Sequence, residues 1–345
     1  MPSTNKVTVV IPTNHSHQDL LKVVRAISNQ IIKPTAIVIV DSSAESGTCP
    51  SEISALCAVC SIILFYEYRV SALPGEARNI GISKVSTELI AFLDVQTIPR
   101  PHWLETALRT LDIEGVSGVW GSTCFSAESK FENLVRDGLF GRLPRKTLPG
   151  SVFRREVFET AGKFVDWVRA GEDTEWILRV EVLKIKVGNI TNTSLDYIGL
   201  IGSDAQQLLK KWHRNYTMSR ELPHFFPQKL LLWLFFYPTL TLIAFNWNYL
   251  IADWRMDSPL YLGHVTKIMA TLPIFIYVIT RGFVMPLKRG VGVWRLLPIR
   301  FVGITMVCSI ADGVKLLVFT LPMHKLKLIS GGIDTMRKDM ENSLD

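Results

Sequence analysis

The chain has 345 residues, enough for one large domain with an appendage or for two domains. Its formal net charge of +7 and its pI of about 9.1 are compatible with a membrane surface or a nucleic acid as partner. Residues 1–225 are mixed and charged, whereas residues 230–321 carry long apolar runs with few charges, so we expect membrane lipids and no nucleic acid as partners.

The N-terminal residues carry no recognisable secretory signal. Residues 1–6 are polar, and the apolar run Val7–Ile11 is too short for the hydrophobic core of a signal peptide. We therefore expect the N-terminal domain to stay in the cytoplasm.

Five cysteines are scattered along the chain, at Cys49, Cys57, Cys60, Cys124 and Cys308. The pair Cys57-x-x-Cys60 is compatible with redox or zinc chemistry. Because no second pair follows it and no histidine lies nearby in the sequence, we expect buried, reduced thiols.

The first half of the chain alternates apolar runs of strand length with stretches of helical spacing. The predicted strands are Val7–Ile11, Ala36–Val40, Ile62–Tyr66 and Leu89–Leu93. The predicted helices are Gln18–Gln30, Glu76–Val85, Pro101–Leu111, Arg154–Thr160 and Asp173–Leu183. Apolar strands separated by helices predict an α/β fold whose parallel sheet is covered on both faces, with ligands bound at the carboxyl ends of the strands.

Three apolar stretches in the second half are candidate membrane helices. They lie near residues 230–252, 262–285 and 301–321. A buried core helix is the alternative for the first stretch, and a re-entrant or interfacial helix is the alternative for the other two. The sequence therefore predicts three parts, with an α/β domain over residues 1–222, a membrane domain over 223–325 and a polar tail over 326–345.

Charged residues in and between these stretches bear on the membrane arrangement. Asp312 and Lys315 lie inside the third stretch, one helical turn apart, so we expect them to pair. The basic connection that contains Arg289 and Arg295 belongs on the cytoplasmic side. This placement predicts a multi-pass or C-terminally anchored protein of the cell membrane with its N-terminal domain in the cytoplasm.

Polar residues follow three of the predicted strands. The first strand runs into Pro12, Thr13 and Asn14, the second ends at Asp41, and the fourth ends at Asp94. Carboxylates at these positions are costly unless something binds there, and they suit a nucleotide base and ribose at one aspartate and a metal-bound diphosphate at the other. Capping of the following helix is the alternative for each aspartate.

A glycine and a cation lie between these strands. Gly75 permits a close turn, and Arg78 and Asn79 fall one turn into the next predicted helix. A guanidinium and an amide near a helix N-terminus suit a phosphate or ribose contact. A surface arginine beside a structural glycine is the alternative.

Two adjacent carboxylates, Glu172 and Asp173, follow Gly171 at the start of a predicted amphipathic helix. The helix dipole favours ionised groups there, and an aspartate held ionised in a cleft can take a proton from an attacking hydroxyl. Helix capping without any chemistry is the alternative.

Together these segments resemble the family 2 glycosyltransferases of the GT-A fold, over roughly residues 6–220. The resemblance is carried by six segments in the family's order: Val9-Val10-Ile11-Pro12-Thr13, Ile39-Val40-Asp41-Ser42-Ser43, Ala77-Arg78-Asn79-x-Gly81, Phe92-Leu93-Asp94-x-x-x-x-Pro99, Leu148-Pro149-Gly150-Ser151-x-x-x-Arg155-x-Val157-Phe158 and Gly171-Glu172-Asp173. It implies a Rossmann-like, mostly parallel sheet followed by C-terminal transmembrane or interfacial helices.

The resemblance also implies a role for each carrier. The position of Asp41 holds the nucleobase, Asp94 faces metal and diphosphate, Asp173 is the catalytic base, and Glu172 orients the helix start or the donor sugar. The loop Gly150-Ser151 lies beside the acceptor. The implied nucleotide-sugar site comprises Pro12, Thr13, Asn14, Asp41, Arg78, Asn79 and Asp94.

A divalent cation, Mg²⁺ or Mn²⁺, is the cofactor that the resemblance implies, with Asp94 and Gln96 as its ligands. Gln96 stands where the family's aspartate motif has a second acidic residue, and it offers a carbonyl oxygen without a charge. Many relatives also carry a metal-binding histidine that is missing from Ser194–Ile198, where Asp196 is the possible substitute.

A basic, aromatic segment over Leu209–Ser219 precedes the first apolar stretch. Its Lys211, Trp212 and Arg214 resemble the Lys-Trp-x-Arg-Tyr pattern of relatives that add a single sugar, and the Gln-x-x-Arg-Trp motif of processive synthases is absent. Such a segment suits anionic lipid headgroups or the pyrophosphate of a polyprenyl-linked acceptor. A plain positive-inside anchor explains the charges equally well.

The sequence thus predicts an inverting hexosyltransferase that moves one sugar from a nucleotide-sugar donor to a membrane-associated acceptor. The predicted acceptor is a polyprenyl-diphosphate-linked saccharide in cell-surface glycan or exopolysaccharide synthesis. A polyprenyl-phosphate glycosyl synthase is the alternative within the same class. A non-catalytic, degenerate binding subunit is the alternative from another class, because of Gln96 and the missing histidine.

Overall fold

The computed structural model describes most of the chain and divides it into two compact units. The first unit comprises Met1–Glu132 and Arg142–His224, and the second comprises Asn133–Gly141 and Phe225–Asp345. The described residues are 6–14, 17–43, 47–190, 192–200, 205–220, 239, 242–243, 246–261, 263, 272 and 274–320.

Nine strands among the described residues form one mixed sheet in the first unit. They are β1 Val7–Thr13, β2 Ala36–Asp41, β3 Ile63–Tyr68, β4 Leu89–Phe92, β5 Thr97–Pro99, β6 Gly118–Phe125, β7 Arg145–Arg154, β8 Val187–Asn189 and β9 Leu195–Tyr197. Their order is β3-β2-β1-β4-β7-β6-β9-β5, with β8 also pairing with β6. The first four strands are parallel and match the predicted ones, whereas β7 runs antiparallel to both β4 and β6. The predicted α/β class with a mostly parallel sheet is confirmed.

Eight α-helices begin in the described part of this unit: α1 His17–Ser28, α2 Ser51–Val59, α3 Pro74–Lys84, α4 Trp103–Glu114, α5 Lys130–Val135, α6 Glu156–Ala161, α7 Glu172–Val182 and α8 Ala205–Arg220. The five predicted helices are confirmed, with small shifts at their ends. Helix α1 stops before Gln30, whose buried amide instead donates to the carbonyls of Ala26 and Arg100. Helix α4 begins at Trp103, after rather than at Pro101. The sequence did not predict α2.

The sheet has a hydrophobic core on each face. Along β1, Val9 and Ile11 belong to the core beneath α1, α2 and α4, while Val10 between them belongs to the core beneath α3, α6 and α7. Both sets are fully buried because side chains alternate between the two faces of a strand. The uninterrupted apolar runs of the sequence follow from this two-sided burial.

Strand register brings the predicted polar residues to one edge of the sheet. Thr13 at the end of β1 pairs with Asp41 at the end of β2. Val10 pairs with Phe92 on the other side of β1, so that Asp94 follows the end of the neighbouring strand β4. Asp41 and Asp94 therefore lie at the carboxyl-terminal edge of the same parallel strands, where ligands bind in such sheets.

The second unit contains helix α9, Ile299–Thr320, and a segment that the sequence assigned to the first domain. Residues 136–140 form a π-helical turn whose Gly138 and Leu139 carbonyls accept hydrogen bonds of 2.9 and 2.8 Å from Arg289. The thiol of Cys308 on α9 also faces the Gly138 carbonyl, at 3.5 Å. Residues 133–141 therefore belong structurally with the C-terminal part of the chain.

Among the described residues, α9 is the helix long and apolar enough to cross a membrane. It has 22 residues, a mean hydropathy of 1.8 in its most apolar window, and one third of that window buried. Of the predicted span near 230–252, the structure describes residues 239, 242–243 and 246–252, and of that near 262–285 it describes residues 263, 272 and 274–285. The remaining residues of both spans lie outside the described part of the chain.

The acidic residue inside α9 pairs differently from the prediction. Asp312 accepts hydrogen bonds of 2.7 and 2.8 Å from Arg281 and one of 3.0 Å from the Tyr277 hydroxyl. The expectation of a pair with Lys315 was wrong, because a forked guanidinium from the preceding helical segment fits both carboxylate oxygens.

All five cysteines are free thiols, as predicted, although only Cys57 and Cys308 are fully buried. Burial, together with the nearby thiols of Cys49 and Cys60, raises the pKa of Cys57 to about 11. A thiol with such a pKa stays protonated at neutral pH and is a weak nucleophile in the metal-free protein.

Candidate active site

A buried arginine connects the two acidic segments that the sequence singled out. Arg78, in the second turn of α3, donates from Nη1 to Glu172 Oε1 at 2.5 Å and from Nη2 to Asp94 Oδ1 at 2.9 Å. Its side chain is 5% exposed, and that of Glu172 is 6% exposed. Three segments that are distant in the sequence thus meet at one guanidinium.

Helix α3 is positioned by close backbone contact. A Cβ atom at Gly75 would lie 1.9 Å from the Val165 carbonyl oxygen, so only glycine permits this approach. The guanidinium of Arg78 also lies over the ring of Phe164, 5.8 Å from its centroid. The loop between α6 and α7 is therefore held against the start of α3.

The electrostatic balance around Arg78 is negative. Burial lowers the pKa of Arg78, but the neighbouring carboxylates of Asp94, Glu172 and Asp173 raise it more, so the guanidinium stays charged. Burial raises the pKa of Glu172, against the opposing effect of Arg78. Three carboxylates face one guanidinium, and the site therefore favours additional positive charge.

Some polar atoms of this site have no hydrogen-bond partner among the described residues. They are Nε of Arg78, Oε2 of Glu172 and Oγ1 of Thr13, and all three atoms are buried. Buried polar atoms are nearly always hydrogen-bonded in folded proteins. Unsatisfied atoms in one region indicate a place where a polar ligand can complete the bonding.

Asp173 differs from its neighbour Glu172 in exposure and bonding. It is only half-buried, and its Oδ1 accepts hydrogen bonds from the backbone N–H of Thr174 at 2.7 Å and from the Thr174 hydroxyl at 3.2 Å. Its Oδ2 accepts no hydrogen bond from the described residues. Of the two adjacent carboxylates, Asp173 is the one that can receive a proton from outside.

Asp41 is buried at the end of β2 and is held by two residues. Its Oδ1 accepts from the Ser43 backbone N–H at 3.0 Å, and its Oδ2 accepts from the Ser43 hydroxyl at 3.0 Å and the Tyr66 hydroxyl at 2.6 Å. Burial raises the pKa of Tyr66 above its ordinary value, and the hydrogen bond to Asp41 raises it further. Tyr66 thus remains a hydrogen-bond donor at neutral pH.

The first strand contributes Pro12, Thr13 and Asn14 to the same sheet edge. Pro12 is half-buried in the strand, Thr13 is buried, and Asn14 is exposed. The Asn14 amide lies 3.5 Å from the Ser42 carbonyl oxygen. Their contact with a nucleotide stays a prediction.

Asn79 has a structural role in the described residues, and its predicted nucleotide contact stays a prediction. Its Nδ2 donates to the Phe164 carbonyl, and its Oδ1 accepts from the Phe164 N–H, both at 2.9 Å. Both ends of the amide are therefore engaged by backbone. The side chain thus holds the loop that carries Phe164 against α3, and these two bonds use one N–H and one oxygen lone pair of the amide.

The predicted acceptor contact at Gly150-Ser151 also differs from the structure. Ser151 is fully buried, and its hydroxyl donates to the Thr147 carbonyl and accepts from the Gly121 N–H. Gly150 has φ +84°, and a Cβ there would lie 2.0 Å from a methyl group of Leu195. These residues shape the β6–β7 pairing, and a buried side chain with its bonds satisfied does not touch an acceptor.

The predicted metal ligands are only partly available. Asp94 keeps one carboxylate oxygen, Oδ2, without a hydrogen bond from the described residues, whereas the Gln96 side-chain oxygen accepts from the Tyr197 hydroxyl at 3.1 Å. Asp196, the possible substitute for histidine, is committed to Arg100 through two bonds of 2.9 Å. No group of three metal-ligating side chains occurs among the described residues.

Tyr197 lies beside the first of these ligands. Burial and the charge of Asp94 raise the pKa of Tyr197 to about 12, so it is a neutral hydroxyl at physiological pH. Any divalent cation here would have Asp94 as its ligand from the described residues. The other ligands would then come from a phosphate group, as is common for Mg²⁺.

The basic segment predicted at the end of the first domain is helix α8. Burial lowers the pKa of Lys211, and the charge of Arg214 lowers it further. Burial likewise lowers the pKa of Arg214, together with the charge of Arg169, and the Arg214 Nε has no partner among the described residues. Arg169, Lys211 and Arg214 form a group of cations that we call the basic cluster.

The basic cluster lies next to the acidic site in the chain, since Arg169 precedes Glu172 in the loop that enters α7. Trp212, the remaining predicted acceptor residue of α8, is half-buried. No ion pair from the cluster to a carboxylate occurs among the described residues, so its positive charge is available to an anion.

An aromatic cluster fixes α7 against the sheet. Trp176 of α7 is fully buried and packs on Phe153, Phe158 and Phe164, with ring centroids 5.1, 5.1 and 5.0 Å apart. Its Nε1 donates to the Gly162 carbonyl at 3.0 Å. These contacts hold the start of α7, and with it Glu172 and Asp173, in one position.

Sequence reasoning missed several contributors to the site. Tyr66 was predicted as part of a strand, Tyr197 as part of a motif that lacks histidine, and Phe164 was not singled out. No sequence pattern around these three residues marks them, because each contacts a residue that is distant in the sequence. Arg169 stood next to the acidic motif, and its charge was the one available indication.

Comparison with known proteins shows similarity to glycosyltransferases. Residues 8–164 match the family model described as "Glycosyl transferase family 2". The glycosyltransferase AglE of Haloferax volcanii is 25% identical over 186 residues, covering 50% of this chain and 60% of that protein. The pre-mycofactocin glycosyltransferase of Mycobacterium tuberculosis is 26% identical over 226 residues, covering 61% of this chain and 45% of that protein.

A solved structure is also similar, the mannosyltransferase PcManGT of Pyrobaculum calidifontis in complex with GDP-Man and Mn²⁺. The match has a TM-score of 0.49 and 15% identity, and it covers 89% of this chain and 88% of that one. Residues 8–164, a little less than half of this chain, are therefore similar to glycosyltransferase family 2. It spans about half of the length of the curated relatives that it matches.

Proposed function

We propose that this chain is an inverting glycosyltransferase that transfers one sugar from a nucleotide-sugar donor to a membrane-associated acceptor. The observation that carries the proposal is the junction at Arg78, which brings Asp94 at the donor edge of the sheet together with Glu172 beside Asp173. The similarity of residues 8–164 to the family 2 model supports it. Asp41, at the same edge, is the proposed ligand of the nucleobase.

In the proposed reaction, Asp173 is the general base. Its free Oδ2 takes the proton of the acceptor hydroxyl, and the hydroxyl oxygen attacks the anomeric carbon from the side opposite the nucleoside diphosphate. Glu172 is a positioning residue, because its Oε1 is bound by Arg78 and its side chain is buried. Inversion follows from this single displacement.

Three carboxylates surround the single guanidinium of Arg78, so Arg78 alone does not neutralise this region. The leaving diphosphate therefore requires additional positive charge. A divalent cation held by Asp94 and by the diphosphate itself would neutralise the charge that develops on the leaving group. The single open oxygen of Asp94 fits such an ion when phosphate supplies the remaining ligands. Arg78 keeps Asp94 oriented for this contact.

The proposed acceptor carries a phosphate or diphosphate and a lipid. The basic cluster of Arg169, Lys211 and Arg214 is the support for the anionic group, because Lys211 and Arg214 are half-buried and no member has a carboxylate partner among the described residues. The apolar helix α9 supports attachment of the second unit to a membrane. A polyprenyl-diphosphate-linked saccharide of cell-surface glycan synthesis combines both features.

One observation favours a second candidate, a non-catalytic subunit that binds nucleotide or glycan. The Gln96 oxygen is already bonded to Tyr197, which leaves Asp94 as the metal ligand from the described part of the chain. Such a protein would bind nucleotide and transfer nothing, whichever metal is supplied.

The test is transfer from a panel of nucleotide sugars to lipid-linked acceptors by the purified full chain in detergent or vesicles. Asp173→Asn should lower turnover at least about a hundredfold and leave nucleotide binding intact. Glu159→Gln is the matched control, since Glu159 is an exposed carboxylate on the neighbouring helix α6. Equal turnover by wild type and Asp173→Asn overturns the base assignment. A sugar-monophosphate lipid as product would identify a polyprenyl-phosphate glycosyl synthase.

A further inference from the structure

The hydrogen bonds of Asp41 limit what else its carboxylate can accept. Ser43 and Tyr66 supply three donors, two of them to Oδ2 and one to Oδ1. A carboxylate has about four lone-pair sites, two on each oxygen. Oδ2 is therefore saturated, and Oδ1 has one site that no described residue occupies.

Nucleobases differ in how many N–H donors they present side by side. Guanine offers two N–H donors on adjacent atoms of its pairing edge. A carboxylate accepts both hydrogen bonds only if each of its oxygens has a free lone pair. Adenine and cytosine offer an amino group with two hydrogens. Uracil and thymine offer a single imide N–H between two carbonyls, so one acceptor satisfies their donor completely.

We propose that Asp41, with Tyr66 bonded to its Oδ2, selects a uracil or thymine nucleotide as donor and discriminates against guanine. The proposal rests on the proposed function and deepens it, because it names the base class of the same nucleotide site. Tyr66 is a specificity-determining residue in this arrangement: it removes the second acceptor that guanine needs. A donor left without an acceptor in a buried site is costly.

A second group at the same edge fits the carbonyls of an imide base. Thr13 is paired in register with Asp41 on the neighbouring strand, so the two side chains lie on the same face of the sheet. The buried Thr13 hydroxyl has no partner among the described residues and can donate to a base carbonyl. A donor beside an acceptor matches the carbonyl and N–H of uracil or thymine.

Tyr66 keeps its proton because its pKa is raised by burial and by its bond to Asp41. It therefore occupies the Oδ2 site across the physiological pH range. The short distance of 2.6 Å to Oδ2 is that of a hydroxyl bonded to a charged oxygen.

The test is calorimetric titration of UDP, dTDP, CDP, ADP and GDP into the purified full chain, with Tyr66→Phe and Tyr68→Phe beside wild type. Wild type should bind UDP and dTDP at least about tenfold more tightly than the other three nucleotides. Tyr66→Phe frees one site on Oδ2, so the ratio of GDP to UDP affinity should rise about tenfold. Tyr68→Phe removes a hydroxyl of the same strand that makes no bond to Asp41, and should leave the ratio unchanged.

The outcomes separate this inference from the function on which it rests. If GDP, ADP or CDP binds wild type as tightly as UDP does, the base selection is wrong while a nucleotide-dependent transferase still stands. If Tyr66→Phe and Tyr68→Phe change the ratio equally, Tyr66 is not the specificity residue. If no nucleoside diphosphate binds, both the selection and the proposed function fail.

Discussion

Arg78 on α3 and Glu172 on α7 are 94 positions apart in the chain and are joined by a hydrogen bond of 2.5 Å. Both side chains are almost fully buried, and the same guanidinium also holds Asp94 at the sheet edge. Through these two bonds Arg78 connects the start of α7, which carries the proposed base Asp173, to Asp94 at the end of β4. Loss of Arg78 should therefore affect both stability and catalysis.

Arg78→Met should lower the free energy of unfolding by about 3 to 5 kcal/mol, because it leaves the buried Glu172 carboxylate without its partner. Turnover should fall at least about a hundredfold as Asp94 loses its orientation. Denaturant unfolding and steady-state kinetics measure the two effects. The double variant Arg78→Met, Glu172→Gln should recover part of the stability and none of the turnover. Full recovery of turnover would contradict the role given to Arg78.

The stability of the protein should depend on pH through Glu172. Its pKa is raised in the folded state by burial, so the folded protein binds this proton more tightly than the unfolded chain does. The free energy of unfolding should therefore decline as the pH rises above the ordinary value of about 4.5. Glu172→Gln cannot titrate and should show a smaller decline. Urea unfolding over a pH series compares the two slopes, and equal slopes would refute the assignment.

Lys211→Met should raise stability while weakening acceptor use. A lysine whose folded pKa is lowered destabilises the folded state at every pH below that pKa, neutral pH included. The free energy of unfolding should increase by up to about 1 kcal/mol, and the KM for a diphosphate-lipid acceptor should rise about tenfold. Lys210→Met, at the exposed neighbour, is the control. An unchanged KM in Lys211→Met would exclude Lys211 from the acceptor site.

The contact between Arg281 and Asp312 should tolerate a swap of the two charged residues but not the removal of one of the charges. Asp312→Asn leaves the guanidinium of Arg281 without its charged partner, so the thermal midpoint of the protein in detergent should fall. The double variant Arg281→Asp, Asp312→Arg, which reverses the pair, should recover most of the lost thermal stability. As a control, Lys315→Gln should lower the thermal midpoint less than Asp312→Asn does. A reversed pair no better than Asp312→Asn would show that the contact is not a stabilising ion pair.

Sequence reasoning predicted the parts of the fold that follow from local periodicity. The apolar runs of β1, β2 and β4 and the amphipathic spacing of α1 and α7 each bury a face that the pattern reveals. The antiparallel strand β7 was not predicted, because its apolar and polar residues do not alternate regularly through its exposed start and the glycine bulge opposite β6. Its place in the sheet depends on pairing with β4 and β6, which are distant in the sequence.

The candidate site divides in the same way. The type and order of Asp41, Asp94 and Asp173 could be read from the sequence, since each follows a strand or begins a helix. The roles of Asn79 and Ser151 could not, because whether a polar side chain faces a ligand or the backbone depends on a partner elsewhere in the fold. The pairing of Asp312 with Arg281 likewise depended on a contact between separate helical segments.

The turn at residues 136–140 has a consequence for the order in which the protein is made. During synthesis, Gly138 and Leu139 leave the ribosome long before Arg289 and Cys308, the residues that bond to their carbonyls. The C-terminal helices therefore complete a structure begun by the N-terminal half, rather than forming a detachable anchor. A chain shortened after residue 224 would expose those carbonyls, and exchange of the C-terminal helices between relatives would have to include residues 133–141.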